Sequence, residues 1–300
     1  MNGLYDTPKK KDLIYDVGMH KGEDTEFYLR KGFRVVAFEA DPILIQFCRN
    51  RLKDFIDQGQ LTIIEGAIVA PETLKAEQTN VRFYRNDDVS VWGTVCDDWS
   101  ERNQRLGHSS TIIEVAVIDL VSIMQHHGIP HYMKIDIEGL DMVCVNVLSR
   151  FRERPDYVSI ESAKTSFAAI KHEIVALTDL GYTSFQAIEQ SSISYSQVPP
   201  VPAREGVYVA HRFEHGSSGL FGSELAGKWK TKQAILRQYR IIRLGYYLLG
   251  DDGIAVRWKF VGVRWLLTLI GKSLGLGLRA PVPGWYDTHA RHVSVDTSKA

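Results

Sequence analysis

The chain is poor in cysteine and carries no excess of either charge, and each shortage closes off a class of function. Its three cysteines, Cys48, Cys96 and Cys144, lie far apart with no Cys-x-x-Cys pair, so neither a disulfide framework nor a cysteine zinc site is encoded. Three buried free thiols are expected. Lys+Arg 36 against Asp+Glu 36 gives no global field to hold nucleic acid or an anionic membrane, so such a partner would need a local patch. No nucleic-acid partner is expected. The N-terminal MNGLYDTPKKKDLIYD is basic but has no apolar run behind it, so it is not read as a secretory signal, and a cytoplasmic location is expected. His108, His126, His127 and His131 lack metal-ligand spacing, and no metal is expected.

What is present is ordinary for a globular protein: 44% hydrophobic and 24% charged residues in a chain of 300, enough for one large domain or a core domain with an appendage. "DLIYDVG" reads as a buried strand that stops at Gly18, and residues 23 to 31 as a helix with acidic residues in its first turn and Phe27 and Tyr28 turned inward. "FRVVAFEADP" is a second strand stopped by Pro42. A helix follows, with Leu44, Phe47, Cys48, Leu52 and Phe55 as its apolar positions. "LTIIEGAIV", "VRFYRN", "HYMKIDIEG" and "DYVSIES" supply further strands, with a helix-like stretch at 140 to 150. Strands alternating with helices over residues 12 to 162 predict an α/β fold, a parallel sheet covered on both faces. Ligands of such sheets bind beyond the carboxyl ends of the strands, which selects Asp16 to Gly22, Glu39 to Asp41, Glu65 to Ala67, Asp136 to Gly139, and Glu161.

The composition changes after residue 195. "SYSQVPPVPAREG" is punctuated by proline, and "HGSSGLFG" is rich in glycine and serine. Residues 231 to 249 place Ile235, Tyr239, Ile242, Tyr246 and Leu249 on one helical stripe. Residues 254 to 270 form an apolar helix too short, and too charged at its centre, to span a bilayer comfortably. Residues 1–200 are therefore expected to form the core domain and 201–300 a helical C-terminal extension or lid. The basic surplus over 231–272 permits peripheral contact with anionic lipid; packing on the core with solvated arginines is the alternative.

The stretch "DVGMHKGEDT" holds the most chemical information. A strand, a glycine turn and a helix start make a concave site for a ligand. Nicotinamide enzymes place three glycines there so that a pyrophosphate can approach bare backbone; here the third is absent and Asp16 stands at the strand end. An acidic corner suits the sulfonium and ammonium of S-adenosylmethionine. Glu39, at the end of the second strand, is placed to accept the two ribose hydroxyls.

"DVGMHKGEDT", "VVAFEADP", "EGAIV", "KIDIEG" and "VSIES", in this order and spacing, resemble the FkbM-type S-adenosylmethionine-dependent methyltransferases over residues 12 to about 165. KIDIEG, Lys134 to Gly139, is the most specific element, and Met19-His20 departs from the Ala-Asn of many members. The resemblance implies a Rossmann-like class I methyltransferase sheet and methyl transfer to a hydroxyl. It places Asp16, Gly18 and Gly22 around the methionine end of the cofactor, Glu39 at the ribose, and Ala40, Gly66 and Ala67 at the adenine. Ser90 and His20 are further cofactor candidates, His20 with a helix cap as its other reading.

In-line methyl transfer needs an acceptor oxygen held behind the methyl carbon and a base for its proton. Asp136 is the favoured base and Glu138 an orienting group, with Glu161 the other carboxylate at a strand end. A structural network of Lys134, Asp136 and Glu138 is the alternative. His289 becomes a base candidate if the C-terminal segment folds over the pocket. The expected function is O-methylation of a sugar or other small molecule. Its rivals are a nicotinamide-dependent oxidoreductase sharing Glu39, and a non-catalytic α/β module docking through basic C-terminal helices. Neither the acceptor nor the oligomeric state is legible in the sequence.

Overall fold

The computed structural model describes residues 3–249 and 285–297, apart from 76, 89, 106, 138, 164 and 165. The expected apolar helix at 254–270 and Glu138 lie outside the described residues. The apolar run ending in Val17 forms the central strand β1 (Lys9–Val17), whose last five residues are all buried. It pairs in parallel with β2 (Arg34–Glu39) on one side and β6 (Ile129–Ile135) on the other. Beyond them lie β3 (Leu61–Glu65) and β7 (Tyr157–Glu161), also parallel. The sheet is completed by β8 (Tyr182–Glu189) and β9 (Tyr286–His292), giving seven strands in the order β3-β2-β1-β6-β7-β9-β8.

Strand β9 is antiparallel to both its neighbours and sits between them. This corrects the expected boundary at residue 200, because a strand from the last fifteen residues completes the core sheet. The expected helical C-terminal extension thus also supplies one strand of the sheet. Of the C-terminal part, α9 (Lys232–Leu249) is helical, with Ile235 and Tyr239 buried and Ile242 and Tyr246 packed behind them on the sheet, as the apolar stripe predicted. Among the described residues no helix is long and apolar enough to cross a membrane.

"VRFYRN" is a strand, but outside the main sheet. It forms β4 (Asn80–Asn86), paired antiparallel with β5 (Ser110–Ala116) in a separate hairpin. The excursion between them carries α4 (Asp97–Arg105). A small satellite cluster of Ala67, Val69, Phe83 and Val115 fastens this hairpin beside β3.

The two faces of the sheet have different covers. One packs Tyr15, Val17 and Phe38 against α5 (Leu120–His127), α6 (Asp141–Leu148), α7 (Phe167–Asp179) and α9. The other packs Ile14, Val35 and Ala37 against α1 (Glu23–Arg30), α2 (Pro42–Arg51), the short α3 (Lys53–Asp57) and α8 (Ile193–Ser196), and an irregular strap that brings in Phe213, Leu220 and Phe221. Phe221 is fully buried, stacked on Tyr132 at 4.7 Å between centroids and edge-on to Tyr28, which stabilises the strap by roughly 2 kcal/mol. The wholly buried Lys31–Glu224 pair, 2.9 Å apart, fixes the strap's end. Glu224 also accepts the backbone N–H groups of Arg204 and Glu205. The cysteines are free thiols; Cys48 and Cys144 are buried, whereas Cys96 is half-buried in the hairpin excursion.

At the amino end of the sheet, His131 bridges Asp156 (2.7 Å) and Glu205 (2.9 Å) and so ties the strap to β6 and β7. Burial alone would lower the His131 pKa, but hydrogen bonds to the two carboxylates outweigh it and push it up to about 9. Burial raises Asp156, and the bonds from His131, Lys11 and Lys9 overcome that to hold it well below the usual range. Because the folded pKa of His131 exceeds its unfolded value of about 6.5, its stabilisation is complete below that value and is lost as pH rises through about 9. His131→Gln should lower the melting temperature at pH 7 by on the order of 5 °C. The gap should close by pH 10, as thermal unfolding of both proteins across that range will show.

Candidate active site

The site begins where β1 runs out. Gly18 turns the chain with φ +88°, and a side chain there would overlap the carbonyl oxygen of Asp136, so only glycine lets the turn lie this close to the end of β6. His20 follows, also at positive φ. The five consecutive N–H groups of this turn are all used within the protein. Those of Gly18 and Met19 go to Phe38 O, that of His20 to Glu39 Oε2, that of Lys21 to Glu23 Oε2 and that of Gly22 to Met19 O.

Beyond the turn lies a cavity of about 1080 Å³ at the carboxyl ends of the parallel strands. It sits where the strand order reverses between β1 and β6, the position at which open α/β sheets bind ligands. Of the residues expected at a cofactor, Gly18, His20, Glu39, Ala40, Gly66, Ala67 and Ser90 all line it. Ser90 reaches it from the hairpin excursion, with its hydroxyl 2.8 Å from His20 Nε2. His20 Nδ1 lies 3.2 Å from Glu23. Gly22 faces away, where its missing Cβ makes room for Leu52 and Cys48; its role is packing at the start of α1.

Asp16 requires the largest correction. It is fully buried and does not line the cavity. Its Oδ2 accepts the Thr25 hydroxyl at 2.6 Å, and its Oδ1 lies 3.4 Å from Lys134 Nζ. The side chain points under α1 because its neighbours Tyr15 and Val17 face the opposite side of the sheet. The carboxylate that sequence reasoning missed is Asp24, which lines the cavity and accepts Ser218 N on both oxygens.

Lys134 joins these acids. Its ammonium donates to Gly18 O at 3.1 Å and lies 3.4 Å from Asp16, 3.8 Å from Asp136 and 4.0 Å from Asp24. Burial opposes its charge, but Asp16, Asp136 and Asp24 together hold its pKa well above the ordinary value. Burial pushes Asp24 up to about 7, against the pull of Lys134 and helped by Asp16. The expected network of Lys134 and Asp136 is thus present, built on Asp16 and Asp24. Asp136 is the most open of the four, its side chain 40% exposed toward the cavity. Asp141, pushed up to about 8 by burial and by Asp136, accepts Ile137 N and holds the turn after β6.

Glu39 is more committed than its sequence position suggested. Oε1 accepts the N–H groups of Ala40 and Asp41, and Oε2 that of His20. One lone pair on Oε2 is left for a ligand, so one ribose hydroxyl, not two, has a ready acceptor there. His289 is not in the site. It lies on β9, opposite Ser159 and Gln186 and 2% exposed, with no hydrogen-bond partner for Nε2 among the described residues. Burial pushes its pKa down to about 3, and the strand that carries it, Tyr286–His292, is part of the sheet. Glu65 is an exposed acid paired with Arg49.

Among the described residues the wall carries eight carboxylates against two lysines. It also holds aromatic residues that the sequence did not single out, Trp92, Trp99 and Trp285. The model of the methyltransferase FkbM domain matches residues 16–184. The chain belongs to that family. It is a family of S-adenosylmethionine-dependent methyltransferases, and the seven-stranded sheet with one antiparallel strand, β9, near its edge is the class I methyltransferase arrangement that the resemblance implied. No curated protein matches the chain. Among solved structures, a methyltransferase from Thiobacillus denitrificans, crystallised with S-adenosyl-L-homocysteine, is 9% identical, with 95% of this chain and 86% of that one covered and a TM-score of 0.34. Its counterpart from Geobacter sulfurreducens, also with S-adenosyl-L-homocysteine, is 10% identical over 95% and 86%, with a TM-score of 0.32. Precorrin-6y C5,15-methyltransferase from Geobacter metallireducens is 16% identical over 63% and 72%, with a TM-score of 0.31. At these scores the likenesses carry no argument, and the family rests on the domain match.

Lys134→Met should cost about 3–5 kcal/mol of stability at pH 7, because it leaves buried carboxylates unpaired. The loss should shrink toward pH 5. A carboxyl group whose folded pKa is raised, as that of Asp24 is, stabilises while protonated and loses that contribution as pH rises. Urea unfolding of the variant at both pH values measures the difference.

Proposed function

We propose that this protein transfers the methyl group of S-adenosylmethionine to a hydroxyl of an uncharged small molecule, with a saccharide as the favoured acceptor. The observation that carries the reading is the pairing of a turn without spare N–H groups and a cavity rich in carboxylates. A diphosphate needs donors, and the turn from Gly18 to Gly22 offers none. A sulfonium needs negative surroundings, and eight lining carboxylates supply them. The residues present fit the donor: Gly18 and His20 would hold its methionine end, Glu39 one ribose hydroxyl, and Ala40, Gly66 and Ala67 the adenine.

The bound donor supplies an electrophilic methyl group on a cationic sulfur. The protein has to place an oxygen behind that carbon and remove its proton. Asp136 stands at the end of β6 with its carboxylate open to the cavity, and Lys134, 3.8 Å away, compensates its charge while it waits. It would take the proton of the acceptor hydroxyl. Glu161, at the end of the neighbouring strand, also lines the cavity and would accept a second hydroxyl of the acceptor. A phosphorylated acceptor would meet an excess of like charge, since carboxylates outnumber lysines among the described lining residues.

Calorimetry with S-adenosylhomocysteine should show saturable one-to-one binding, weakened at least tenfold by Glu39→Ala, since a hydrogen bond to a charged group contributes about 1.5–3 kcal/mol. Asp136→Asn should leave that affinity unchanged and lower kcat roughly 100-fold or more. A larger thermal shift with NADH than with S-adenosylhomocysteine would overturn the reading in favour of an oxidoreductase.

A further inference from the structure

We infer that Trp99, seated on Gly139, is a specificity-determining wall of the acceptor half of the cavity. This rests on the methyl-transfer reading. The ends of β1, β2 and β3, with Gly18, Glu39 and Gly66, form one half of the cavity; the ends of β6 and β7, with Asp136 and Glu161, form the other. Trp99 belongs to α4, forty residues before the turn that follows β6, yet its indole rests directly on that turn. A Cβ at Gly139 would overlap Nε1 of the indole and stand 2.7 Å from its Cδ1. Gly139 is therefore the seat of a ring that arrives from a different part of the chain, and its φ of +99° is one that side chains disfavour.

The surroundings give the seat a purpose. Trp99, Asp136, Ile137 and Leu140 all line the cavity, and Leu140 also packs with the hairpin cluster around Phe83. The hairpin excursion thus forms a wall beside the proposed base. A flat apolar ring next to carboxylates matches a saccharide, which offers C–H groups on one face and hydroxyls around its edge. The acceptor class that follows is a neutral glycoside.

Two measurements test this. The first is a double-variant cycle with Gly139→Ala and Trp99→Ala, read as melting temperature. The backbone penalty of alanine at positive φ is the same in both backgrounds, so it cancels, and only the clash with the indole remains. Gly139→Ala should lower the melting temperature at least twice as much in the wild-type background as in Trp99→Ala. Equal losses would remove the seat. The second uses acrylamide quenching of Trp99, obtained as the difference between wild type and Trp99→Phe. Saturating S-adenosylhomocysteine should leave that quenching unchanged, and its affinity should stay within threefold in Trp99→Phe. Adding methyl hexopyranosides to the cofactor complex should then protect the indole. Protection by S-adenosylhomocysteine alone would put Trp99 in the cofactor half. Protection by no glycoside, or by glucose 6-phosphate in preference to methyl glucoside, would overturn the acceptor class. If S-adenosylhomocysteine does not bind at all, the failure lies with the methyl-transfer reading.

Discussion

The buried ammonium of Lys134 is the constraint on which the site depends. It lies where β1, α1 and β6 converge, within 4.0 Å of carboxylates from all three, and it also donates to the carbonyl of Gly18. One charge thereby fixes the turn at the cavity's edge, the helix behind it and the strand that carries the proposed base. Carboxylates this deeply buried require a counter-charge, and a lysine compensates several at once because its three donors point in different directions. The arrangement leaves a net negative wall facing the cavity, so the interaction that holds the fold together at this point also sets the electrostatics of the site.

Much of the core was legible in the sequence because it is local. The strand ending at Val17, the helix from Glu23 and the stripe of Ile235, Tyr239, Ile242 and Tyr246 each show their period within a few residues. Several loop residues at strand ends were also legible as lining of the cavity, since an open α/β sheet opens its crevice there. What could not be read was orientation. Asp16 is at the strand end, as expected, but side chains alternate along a strand, and its parity sends it under Thr25 instead of into the cavity. A single residue of offset separates a contact with the ligand from a contact with the floor beneath it.

Long-range pairing was equally hidden. The segment Tyr286–His292 is mostly polar, with Asp287, Thr288, His289, Arg291 and His292, and gives no local sign of being a core strand. It is buried only because β7 and β8, more than ninety residues earlier, leave a gap that it fills. The same holds for Trp99 on Gly139 and for Lys31 with Glu224, partners nearly two hundred residues apart in the second case. Contacts of this kind cost loop-closure entropy that no short window of sequence reveals.

The choice between donors illustrates how a correct conclusion can rest on the wrong residue. The sequence suggests that the acid at the first bend attracts a cation and repels a diphosphate, yet that acid is buried and does not line the cavity. What the structure shows is a turn ill suited to a diphosphate: phosphate sites at glycine turns work because backbone donors are left unpaired, and here Phe38, Glu39, Glu23 and Met19 claim each of them. Glu39 does so twice over, closing the turn through His20 and its own strand end through Ala40 and Asp41. A carboxylate spent in this way retains only enough capacity for one hydroxyl. On the proposed reading, selectivity for a cationic donor would arise from what the backbone no longer has to give, with the lining carboxylates adding attraction.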